Sequence, residues 1–165
     1  MKFECSAQEL HTGLAHVTRA LSSRPAMQIL EGVLIHAEGE EVELLCSDGS
    51  LSIKCRVPAQ ISQMGDVVLP GRLLTEIVRK LPEGTVSFNM NDKMVVTIRC
   101  QQSRSTITGA SPDEFPQMKD LYGTHALHFP LEADGEPARA LRQGIGRCAH
   151  LVFPFMTRRM MKLFS

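Results

Sequence analysis

Residues 1–60 and 66–110 spell one series twice: a strand, a helix, then three strands. The repeat constrains the fold strongly. An antiparallel sheet of three or four strands with one helix exposes an apolar face, and two copies can bury that face together. In the first copy, Ser6 followed by Glu9 is the pattern of a capping box and predicts a helix start. Leu10, Leu14, Val17 and Leu21 then form one apolar stripe, leaving His11, Thr12, His16 and Arg19 outside. Ile29–His36, Val42–Cys46 and Leu51–Val57 read as strands separated by EGEE and SDGS turns. In the second copy, DVVL predicts a strand and PGRLLTEIVRKL a helix with Leu73, Leu74, Ile77, Val78 and Leu81 inward, stopped by Pro82 and Gly84. Thr85–Met90, Met94–Cys100 and Ser103–Gly109 follow as strands, with NDK turning the first pair.

The expected class is therefore α+β, with two helices on one face of an antiparallel sheet. Their outward faces make a shared surface carrying Arg19, Arg24, Arg72, Arg79 and Lys80, an arrangement able to track a phosphate backbone. An ordinary solvated surface is the competing reading, and Glu9, Glu76 and Glu83 dilute the field. Formal net charge is zero, although residues 121–165 hold six basic and three acidic side chains, leaving 12 and 15 for residues 1–120. No global positive field points to a polyanion, so any nucleic-acid contact must rest on local patches.

Chemistry finds little support. His11 and His16 stand at i and i+5, not the i, i+4 spacing of a helical metal pair, and no ligand set completes them. Asp48 with Cys46 or His36 is an imaginable catalytic group, but Asp48-Gly49 reads more simply as a turn. GDVVLPGR lacks the spacing of a phosphate-binding glycine loop. No catalytic residue, metal or cofactor is expected. Cys5, Cys46, Cys55, Cys100 and Cys148 form no Cys-x-x-Cys pair and suit buried reduced thiols. MKFECSAQEL is too polar for a signal peptide, and no stretch approaches a membrane span, so a cytoplasmic protein without a membrane partner is expected.

Several stretches in register resemble one family. MKF, SSRP with the following IL, SDGSLSI, LPGRLLTEIVRKLPEG and SRSTITGASPDEFP are similar to the bacterial sliding clamps, the beta subunits of DNA polymerase III, across roughly residues 1–120. The resemblance implies a DNA-clamp fold, the doubled unit read above being one of three similar domains in each subunit. It also implies a non-catalytic processivity factor: two subunits close head to tail into a ring around duplex DNA, helices line the hole, and the polymerase is tethered. Confinement of that kind favours sequence-independent phosphate contacts over base readout. Arg24 matches a position that reaches toward DNA, with Pro25 restricting the preceding backbone to an extended form. Arg72 matches another basic position facing the hole.

The resemblance also implies a subunit junction on the last edge strand, SRSTITG, where Arg104 matches a basic position and Ile107 an apolar one. Ser105 stands where the family often has a bulky apolar residue, and Leu73 where a basic one can occur. Residues 121–165 are expected to be a linker and a partial, divergent start of the middle domain, with PARALRQGIGRCAHLV at helical spacing. The chain then stops before the regions that implied contacts with polymerase and clamp loader require, and is not expected to close a ring alone. Two alternatives remain: another doubled α+β nucleic-acid binder, which would expose aromatics on its sheet, or a protein-interaction module.

Overall fold

The computed structural model describes residues 1–21, 25–49 and 51–116. The doubled unit is present in order. Its first copy is β1 (Lys2–Ser6), α1 (Ala7–Val17), β2 (Gly32–Glu38), β3 (Glu41–Ser47) and β4 (Ser52–Gln63). Its second is β5 (Gly65–Pro70), α2 (Gly71–Arg79), β6 (Thr85–Met90), β7 (Val95–Cys100) and β8 (Ser103–Thr108). Ser6 caps α1 as expected, its Oγ accepting from the Glu9 N–H at 3.4 Å. Short 3-10 turns occupy Thr18–Ala20, Gln28–Glu31 and Pro112–Glu114, so β2 begins at Gly32 rather than at Ile29.

The strands form one antiparallel sheet in the order β5-β2-β3-β4-β1-β6-β7-β8. The two copies exchange their first strands. β5 of the second copy pairs with β2 of the first, and β1 of the first pairs with β6 of the second. Each copy thus covers an edge of the other, which is why one copy could not stand alone. Phe3 and Phe88 mark this exchange: they sit opposite each other across β1 and β6, stacked with ring centroids 4.7 Å apart and fully buried.

β4 corrects the expected end at Val57, running on through Pro58 to Gln63. Ser52 to Pro58 pair with β3, and Ala59 to Gln63 pair with β1. The Ala59 N–H bonds Glu40 O at 2.9 Å, so Pro58 directs its nitrogen away from β3. On that other side β1 pairs with β4 only as far as Cys5. The missing N–H of Pro58 therefore interrupts no ladder.

Both helices bury their stripes in one core. Leu10, Leu14 and Val17 of α1 and Leu74 and Val78 of α2 meet Val33, Ile35, Val42, Leu44, Val67 and Leu69 from the same sheet face. Leu73 departs from its expected inward position and is 46% exposed. On the opposite face, Leu34, Leu45 and Val68 pack with Leu30 and Phe115 from the flanking 3-10 turns. Phe3 and Phe88 lie in the core, not on the exposed sheet.

Candidate functional site

Two surfaces follow from this architecture. The first is the outer side of α1 and α2, which lie next to each other. Gly71, the first residue of α2, approaches the end of the first helical run: a Cβ there would meet Leu21 Cδ1 at 2.5 Å. His11, Thr12, His16 and Arg19 are exposed, as are Arg72, Arg79 and Lys80. Arg24 lies outside the described residues. Arg72 sits in the first turn of α2, after Pro70, which offers no side-chain cap. A cation at that end opposes the helix macrodipole, and among the described residues no acidic partner lies within 4.0 Å of it. Arg79 and Lys80 stand at the opposite end, where the dipole favours positive charge.

The second surface is the edge of β8, which among the described residues has no strand paired along its outer side. The Gly109 N–H bonds Met94 O at 2.8 Å, which fixes the alternation along the β7–β8 ladder. Ser103, Ser105 and Ile107 turn their N–H and C=O groups toward β7; Arg104, Thr106 and Thr108 turn theirs away. Ala110, next in the outward series, exchanges bonds with Val68 of β5 at 2.9 and 3.1 Å. Among the described residues Arg104, Thr106 and Thr108 are left with open outward backbone groups. Their side chains are exposed, Ser105 is partly buried, and Ile107 is 2% exposed, supporting the strand from within the core.

The β7–β8 register sets Arg99 directly opposite Arg104, both exposed and neither in an ion pair among the described residues. Sequence reasoning missed Arg99, because that proximity exists only once the hairpin register is known. At the other end of the edge, Thr108 borders a cleft of about 410 Å³ whose charged lining residues are Glu31 and Glu114.

The imagined catalytic set is not assembled. Cys46 is buried in the core, while His36 lies on the opposite sheet face, bonded to Asp66 and to Glu38 at 3.1 Å. Asp48 sits in a turn, accepting from the Leu51 N–H at 2.8 Å beside Gly49 at φ +92°. The hydrogen bond that His36 donates to the Asp66 carboxylate, reinforced by Glu38 against a smaller burial effect, holds the His36 pKa above its usual value. Lys54 and Arg56 bridge to Glu43 at 2.9 and 3.5 Å, so this charged row serves cross-strand pairing. Among the described residues no group of three or more His, Cys, Asp or Glu is placed to hold a metal.

The family model of the DNA polymerase III beta subunit, N-terminal domain, matches residues 1–119. The chain belongs to this family. It is 36% identical over 123 residues to the beta sliding clamp of Halalkalibacterium halodurans, covering 70% of this chain and 32% of that protein. With the beta sliding clamp of Synechocystis it shares 33% identity over 147 residues, covering 84% and 38%. The crystal structure of the Bacillus subtilis DNA polymerase sliding clamp superposes with a TM-score of 0.73 at 31% identity, covering 76% of this chain and 35% of that one. The chain thus spans about a third of the length of the curated relatives it matches. Its sheet with two helices on one face is the fold of those clamps. Among the described residues no helix is long and apolar enough to cross a membrane.

Proposed function

We propose that this chain supplies a clamp domain of a DNA-encircling processivity factor. Residues 1–120 form that domain and residues 121–165 begin the next. α1 and α2 line a hole, and Arg72, with Arg24, meets the phosphates of duplex DNA without reading its sequence. The observation that carries this reading is Arg72 itself: an exposed cation, without an ion-pair partner among the described residues, on the anion-favouring end of a helix, which an external phosphate would satisfy. The open edge of β8 is the junction with a second subunit in a head-to-tail dimer. Arg104 and Ser105 belong to that junction, Ile107 backs the strand, and exposed Leu73 adds an apolar contact. The domain performs no chemistry and takes no cofactor. Polymerase and clamp loader engage the factor through other domains, in the cytoplasm.

The test is anisotropy of a fluorescent duplex titrated with the chain. Binding is expected to be weak, independent of sequence and steeply salt-sensitive. Arg24→Ala and Arg72→Ala should each lower the log–log salt slope by about 1 while leaving the melting temperature unchanged. Unchanged binding in both variants would overturn the DNA role. A hydrolytic or polymerase activity that survives stringent purification would overturn the non-catalytic one.

A further inference from the structure

We propose that His11 and His16 are phosphate contacts that act only when protonated, so that the chain holds duplex DNA more tightly as pH falls. This deepens the reading of α1 as a DNA-facing helix and rests on it. Both histidines are exposed on α1, turned away from the buried stripe of Leu10, Leu14 and Val17. Their five-residue spacing sets them about 7.5 Å apart along the helix axis and about 140° apart around it. They therefore flank the exposed face, with Thr12 and Ala15 between them. Those middle side chains are short, and the Thr12 hydroxyl donates back to Gln8 O at 3.0 Å. The two imidazoles are left as arms on either side of a molecule lying against the face.

The surroundings leave both rings to an external anion. His36, on the outer face of the sheet, is held by Asp66 and Glu38. His11 and His16 have no carboxylate within 4.0 Å among the described residues. The elements packed against α1 are β1, β3, β4, the Thr18–Ala20 turn and α2. The strands turn only the thiols Cys5, Cys46 and Cys55 toward it as titratable groups, because their charged side chains alternate to the other face. The turn adds Arg19, and α2 adds Arg72, Arg79, Lys80 and Glu76, with Glu83 just beyond it and Glu9 on α1 itself. Four cations against three carboxylates give this surface a formal charge of +1 with neutral imidazoles and +3 with both protonated. Histidine is the side chain whose charge changes between pH 5 and 8. Each charge so gained and set on a phosphate releases a condensed counterion.

The test is anisotropy of a fluorescent duplex titrated with the full chain at pH 6 and pH 8 over a series of salt concentrations. At low salt the wild type should bind at least about tenfold more tightly at pH 6. Its log–log salt slope should steepen by about 1–2, since each phosphate neutralised contributes about 0.9. His11→Gln combined with His16→Gln should flatten both changes, and each single substitution should remove about half of them. His36→Gln, on the other face, should leave them in place. Circular dichroism at both pH values checks that each variant is folded. Equal wild-type binding at the two pH values, or a pH dependence that survives the double substitution, would overturn the proposal. Arg72→Ala at pH 8 separates this outcome from the reading beneath it. Weaker binding there with a flat pH profile rejects the histidine contacts alone, whereas unchanged binding with a flat profile rejects the DNA-facing surface as well.

Discussion

Val68 and Ala110 exchange two backbone hydrogen bonds, at 3.1 and 2.9 Å, and through this isolated bridge the two ends of the sheet touch. The contrast with the first copy is one of strand length. β4, at 12 residues, reaches past β3 to pair along β1, whereas β8, at six, reaches β5 only through the extension at Ala110. Among the described residues the sheet consequently comes close to encircling its core yet leaves β8 open, and an edge strand left open is a site for pairing.

Gly109 is the residue that lets the bridge form. A Cβ there would lie 2.3 Å from Val67 Cγ2 and 3.1 Å from Val68 O. Gly109→Ala should separate β8 from β5 and cost about 1–3 kcal/mol. A thermal melt should show a drop of several degrees, and hydrogen exchange should show lost protection at Val68 and Ala110.

Gly13 sets two effects against each other. Alanine gains about 1 kcal/mol over glycine within a helix. Here, however, its Cβ would sit 2.9 Å from Val57 Cγ2 and 3.2 Å from Leu44 Cδ1, between α1 and the sheet. A β-branched valine on a strand has little freedom to yield. Gly13→Ala should therefore lower the midpoint of urea unfolding despite its better helix propensity.

His36 makes stability depend on pH. Its pKa is raised in the folded protein, mainly by the hydrogen bond with Asp66. The folded state thus binds the proton more tightly, so the contribution is fully present below the unfolded value of about 6.5 and is lost as pH rises through the higher folded value. Melting temperatures of the wild type and His36→Gln should differ most in mildly acidic buffer and converge as pH rises. A difference that grows toward alkaline pH would contradict this.

The thiols divide by burial. Cys5 and Cys46 are pushed up to about 12, chiefly by burial, with Glu9 adding to the effect on Cys5. Near neutral pH each is thiolate at a level on the order of 10⁻⁴ or less. Native iodoacetamide labelling read by mass spectrometry should spare both. Among the described cysteines Cys55, the one that is partly exposed, should react first.

Local pattern carried far at the level of elements. The cap at Ser6, the stripe of α1, the turn at Asp48-Gly49 and the strand Thr85–Met90 stand where the sequence alone places them. Their signals come from residues a few positions apart. The expected end at Val57 failed because whether Pro58 breaks a strand depends on which side of it has a neighbour. Leu73 failed for a related reason: it continues an apolar series, but α2 turns only Leu74 and Val78 fully into the core.

The sequence by itself thus determined the doubled unit and the α+β class, because side-chain periodicity and turn chemistry are properties of neighbouring residues; its motifs in register separately carried the resemblance to the family. Tertiary structure alone decided that β1 and β5 change places, that β8 meets β5 only at Ala110, and that Arg99 joins Arg104 opposite the end where Glu31 and Glu114 share a cleft. Those outcomes depend on the register and length of strands brought together from distant parts of the chain. No local pattern encodes which of two similar edges will be covered.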